Sequence, residues 1–135
     1  MNHLIFDSSA LVAYLLDAPG GQVVEEWLER LVGETEMQGL MCTLAVGEVY
    51  HMAMRRKNEQ AAERALRAIS SLPLTIVAPD LELSIAAARL KATHAISYVD
   101  AFSAALAIEH KGLLLATDPV FEELANVPYF SVQYL

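Results

Sequence analysis

The sequence predicts an α/β fold with a mainly parallel central sheet covered by helices, and three observations carry that expectation. Short apolar runs alternate with segments of helical period along the whole chain. The 135 residues, 55% of them hydrophobic, suffice for one well-buried core, so residues 1–135 read as one domain. The apolar stretches fall far short of the roughly 20 residues that span a bilayer.

The elements follow in order. The apolar run His3 to Phe6 is the first strand, and Asp7 stands between it and a helix over Ser9 to Leu15. Ala18 to Gly21, Ala-Pro-Gly-Gly, is a turn, and a helix over Gln22 to Val32 comes next. A second strand, Leu40 to Thr43, leads into helices over Leu44 to Arg56 and Glu59 to Ser70. Leu74 to Val77 is the third strand, and helices over Asp80 to Thr93 and Ser97 to His110 follow it. Leu113 to Ala116 is the fourth strand, a short helix begins at Pro119, and Tyr129 to Val132 closes the series as the fifth. No repeat, low-complexity tract or linker interrupts it.

Asp7 interrupts the apolar start from Leu4 to Leu16, unlike the core of a signal peptide, so the expectation is a soluble, cytoplasmic protein that does not meet a membrane. Cys42 is the only cysteine, which excludes an intramolecular disulfide and a thiol-based zinc or redox motif; it reads as a small buried hydrophobe.

Nine basic against 17 acidic residues give a net charge of −8, which at first argues against a nucleic-acid binder. Their distribution softens the objection. Arg55, Arg56, Lys57, Arg64 and Arg67 share one short stretch, while acids crowd Glu25 to Glu36. The basic stretch reads either as a solvated helix face or as a contact for RNA or a partner.

Four acids are singled out by position. Asp7 follows the first strand, at the carboxyl end where open α/β sheets place ligand sites, and Glu48 follows the second within an apolar helical stretch. The helix carrying Asp100 in its first turn leads about 20 Å away and the fourth strand returns, which brings Asp118 back near Asp100. At one rim their repulsion would raise their pKa values unless a cation neutralises them. An all-oxygen set suits magnesium or manganese, and none of His3, His51, His94 and His110 has zinc-motif spacing. The same positions have structural readings. Asp7 can cap the helix after it, Ser97-x-x-Asp100 has capping-box spacing, and Asp118 before Pro119 can be an N-cap. Glu48 is harder to explain by structure alone, because an acid among apolar residues loses hydration.

Leu4-Ile-Phe-Asp-Ser-Ser-Ala-Leu-Val-Ala-Tyr-Leu15, Glu48 in its apolar helix, Ile96-Ser-Tyr-Val-Asp-Ala-Phe-Ser-Ala-Ala-Leu-Ala107 and Leu115-Ala-Thr-Asp118 together resemble the PIN-domain family over essentially the whole chain. In length and style the chain is most similar to the VapC-like toxins of toxin–antitoxin pairs. The resemblance implies a three-layer α/β/α, Rossmann-like domain that cuts RNA using Mg2+ or Mn2+, usually as a homodimer, and is silenced by a VapB-like antitoxin. It further implies Asp7 and Asp100 as principal metal ligands, with Glu48 and Asp118 completing the quartet. Ser9 and Thr117 match the family's supporting hydroxyls, with turn or cap formation as their other reading. Asp118-Pro119 departs from the commoner Gly-Asp pattern, which leaves open whether Asp118 touches the metal directly.

Two rivals stand beside this reading. An aspartyl phosphotransferase of the haloacid-dehalogenase type requires an acid two residues after Asp7, where this chain has Ser9. A PIN-like scaffold that lost turnover would not need all four acids.

Overall fold

The computed structural model describes residues 2–33 and 36–135; Glu34, within the acid-rich stretch, lies outside the described residues. The element order is β1 (His3–Phe6), α1 (Ser8–Leu15), α2 (Gly21–Gly33), β2 (Gln38–Cys42), α3 (Thr43–Arg56), α4 (Glu59–Ser70), β3 (Leu74–Val77), α5 (Leu81–Thr93), α6 (Tyr98–Glu109), β4 (Leu113–Ala116), a short 3-10 helix (Pro119–Leu124) and β5 (Ser131–Tyr134). The α/β alternation read from the sequence is thus the architecture found. Differences are confined to boundaries. β2 starts two residues earlier and yields Thr43 to α3, and β5 lies two residues further on.

All strand pairs are parallel, in the order β3-β2-β1-β4-β5. From β1 the chain moves outward through β2 to β3, then crosses back to β4 and β5 on the other side. Right-handed crossovers therefore put α1 to α4 on one face and α5 and α6 on the other, which makes three layers. The direction reverses between β1 and β4, which makes the carboxyl ends of those two strands the topological switch point of the sheet, where open α/β folds place their ligands.

The core explains why the helices pack so closely. Ile5, Phe6, Leu114 and Leu115 are fully buried in the two central strands. α6 packs over β1, β2 and β4 and is buried from Asp100 to Ala107. A helix that is apolar around its circumference belongs inside, and Ala101, Ala104, Ala105 and Ala107 let its backbone approach the sheet. Asp100 is consequently carried into the interior by its own helix. Among the described residues, no helix is long and apolar enough to cross a membrane.

Candidate active site

Asp7 follows the last residue of β1, and its backbone N–H donates to Leu115 O of β4 at 3.1 Å, continuing the ladder between the two strands. It sits at the switch point. As the N-cap of α1 it accepts on Oδ2 from the Ser9 N–H at 3.0 Å and from the Ser9 hydroxyl at 2.6 Å. The Ser9 hydroxyl oxygen in turn accepts the Thr117 N–H at 3.0 Å, so one serine ties β1, α1 and the end of β4 together. Asp7 Oδ1 is buried and has no hydrogen-bond partner among the described residues. A half-claimed carboxylate therefore lies at the switch point of the sheet.

The other three acids approach from separate elements. Glu48 is the sixth residue of α3, about 7.5 Å along the axis from Thr43, and accepts the Ser8 hydroxyl on Oε1 at 3.1 Å. Asp100 lies in the first turn of α6. The Ser97 hydroxyl donates to its Oδ2 at 2.9 Å and accepts its backbone N–H at 3.2 Å, a reciprocal cap. Asp118 caps the 3-10 helix, accepting the Val120 N–H on Oδ1 at 2.9 Å. Capping thus occupies one oxygen of Asp7, of Asp118 and, through Ser97, of Asp100, and leaves the second oxygen of each.

The electrostatics show that these acids share one environment. Burial, the largest cause, pushes the Asp7 carboxyl up to about 6; the Ser9 hydrogen bonds oppose it, and the charges of Asp100 and Glu48 add to it. Asp100 is raised as well, first by burial and then by the charges of Asp118 and Glu48, against the lowering effect of Ser97. Each of the four is coupled to at least one other. These influences link acids from four separate elements.

Whether the residues fit a divalent cation turns on Asp7. Its orphaned Oδ1, buried among like charges, is the environment that a hard cation relieves. Among the described residues, no group of three or more His, Cys, Asp or Glu side chains is placed to hold a metal ion. Magnesium needs no such set, since it binds through one or two carboxylates and keeps several waters. The donor chemistry fits.

Other sequence expectations sort plainly. Thr117 contributes its backbone N–H, which the Ser9 hydroxyl oxygen accepts. Arg55 and Arg56 are exposed at the far end of α3, about 18 Å along its axis from Thr43. Val49 and Ala53 are core, with Met52 packed against them. His3 and His110 are in ring contact, centroids 4.7 Å apart, at the amino-terminal end of the sheet. Sequence reasoning missed Ser8, although it is adjacent to Asp7, and also Tyr134. Tyr134 is paired in register with Ala116, and its phenol is raised by burial and then by the charges of Glu122 and Asp118.

The comparisons with known proteins fall in line with this geometry. The family model for the PIN domain matches residues 4–127. No curated protein matches the chain. Among solved structures, the VapBC2 complex of Rickettsia felis bound to a promoter DNA fragment is similar at 14% identity, with 98% of each chain covered and a TM-score of 0.76. DNA-bound VapBC from Salmonella typhimurium is 14% identical, with 99% of this chain and 98% of that one covered and a TM-score of 0.73. VapC20 of Mycobacterium tuberculosis, a toxin cleaving the sarcin–ricin loop, is 20% identical, with 88% and 92% covered and a TM-score of 0.71. At such identities the likeness is one of fold. The family match, running from β1 past β4 and including all four acids, establishes that the chain belongs to the PIN domain family.

Proposed function

We propose that this protein is a divalent-metal-dependent ribonuclease with its site at Asp7, Glu48, Asp100 and Asp118. The observation that carries the reading is the buried, unpartnered Oδ1 of Asp7 among carboxylates from three other elements. Asp7 and Asp100 would hold Mg2+ or Mn2+. Such an ion supplies positive charge against the phosphate and makes water a better nucleophile near neutral pH.

The chain's own residues do the positioning. Ser9 fixes Asp7 through Oδ2 and keeps Oδ1 turned to its ligand, and Ser97 does the same for Asp100. Ser8 holds Glu48 by Oε1, leaving Oε2 to accept a hydrogen bond from the attacking water. Asp118, held by the Val120 N–H, directs its other oxygen to the same rim, either onto the ion or onto its water.

The setting we infer is the toxin half of a VapBC-type pair, a cytoplasmic homodimer restrained by a VapB-like antitoxin; fold neighbours that are themselves VapBC complexes support it. Exposed Leu81 and Ile85 on α5 support pairing with another protein surface. The test is incubation of purified protein, freed of any partner, with total cellular RNA plus manganese, magnesium or chelator. Discrete products that require metal and vanish in Asp100→Asn are expected. Full cleavage by that variant overturns the assignment of the site, and no cleavage with no manganese binding leaves a PIN-like scaffold.

A further inference from the structure

Tyr98 opens α6 two residues before Asp100 and is 50% exposed, unlike the aromatic residues of the core. Its ring is held in place. Phe102, one turn along the helix, lies against it with centroids 6.1 Å apart. From the end of α5, Lys91 donates through Nζ to Ile96 O at 3.0 Å and stands 5.5 Å from the Tyr98 ring centroid. Ile96 immediately precedes Ser97, the residue that caps α6 and holds Asp100. An aromatic face and an ammonium group are therefore fixed to the very turn that carries an acid of the site.

Beside the packing against Phe102, that pairing has a chemical use. A strand of RNA entering a cluster of carboxylates needs a cation outside the cluster for its flanking phosphate, and a flat surface for an unstacked base. Lys91 spends one ammonium hydrogen on Ile96 O and keeps others for an acceptor.

We infer that Tyr98 and Lys91 form the nucleotide-gripping element of the site, Tyr98 stacking on a base beside the cleaved bond and Lys91 contacting the neighbouring phosphate. The inference rests on the ribonuclease reading above and assigns positioning residues to it. The molecule also contains a matched control. Tyr129 is 70% exposed with Lys111 Nζ 5.3 Å from its ring centroid, the same chemistry at the start of β5 and β4, the length of a strand away from the acids.

The test is fluorescence anisotropy with a short, labelled, mixed-sequence single-stranded oligoribonucleotide, measured in an Asp100→Asn background, with cleavage kinetics measured separately in the wild-type background. Adding Tyr98→Ala is expected to weaken RNA binding about tenfold, and in the kinetics to raise KM with kcat unchanged. Tyr98→Phe should restore binding. Lys91→Gln should lower the slope of log Kd against log salt by about 0.7. Tyr129→Ala should change nothing. Equal effects of Tyr98→Ala and Tyr129→Ala, or no RNA binding by the parent protein, overturn the inference. If wild type fails to cut RNA while Tyr98→Ala still weakens binding, the cleavage reading falls and the gripping element stands.

Discussion

Ser9 claims one oxygen of Asp7 twice, through its amide at 3.0 Å and its hydroxyl at 2.6 Å, and the other oxygen of that carboxylate stays unclaimed. Because the same hydroxyl oxygen also takes the Thr117 N–H, Ser9 both favours the ionised form of Asp7 against the effect of burial and ties together the ends of the two central strands.

Ser9→Ala should therefore act in two ways. Losing the hydroxyl leaves the Thr117 N–H without its partner and is expected to cost about 1–2 kcal/mol in urea unfolding. It also removes a bond that favours the ionised Asp7, so the acidic limb of manganese binding, followed by calorimetry at several pH values, should move to higher pH. An unmoved limb would mean that the bond does not govern Asp7.

The raised pKa of Asp7 makes stability depend on pH with a definite sign. The unfolded chain ionises this group near its ordinary value of 3.8 and the folded chain near 6, so between those values the folded state holds more protons. Stability in chelator should fall as pH rises through that window, by about 3 kcal/mol from Asp7 alone, with Asp100 acting in the same direction. Asp7→Asn should flatten the dependence and melt above wild type at pH values beyond the window. A wild type that gains stability from acid to neutral pH would contradict this.

Glu48→Gln keeps the acceptor oxygen for Ser8 and removes only the charge. Stability in chelator is expected to hold or rise slightly, because a charge that repels Asp7 and Asp100 is lost, with metal-dependent cleavage reduced about 100-fold in single-turnover assays. Comparable losses of stability and cleavage would make Glu48 a structural residue.

Much of this was legible in the sequence because the caps and the apolar periods agree. Asp7, Ser97 and Asp118 each end an extended segment and begin a helix, so local chemistry set the boundaries and, with them, where three of the four acids lie. Glu48 was legible as an acid out of place in an apolar stretch. What the sequence concealed depends on tertiary approach. β2 reaches back to Gly39 because it pairs with Leu4 and Leu74 there, and the glycine leaves room for Leu31 and Leu74, whose Cδ atoms would lie 2.7 and 2.8 Å from a Cβ, an approach that no local pattern reveals. β5 is an edge strand with a single neighbour, so its apolar and aromatic residues fit more than one register. Tyr129 instead takes a left-handed turn conformation, φ 65°, and the strand starts at Ser131. That shift carries Tyr134 to the acidic rim, where a sequence-based register had not put it.

The most direct test of the central claim is calorimetric titration of manganese into wild type and Asp7→Asn above pH 6. Saturable binding by wild type that disappears in the variant is expected, because the orphaned oxygen of Asp7 would be the ligand removed. Equal binding by both proteins would contradict the claim that this carboxylate is where the ion is held.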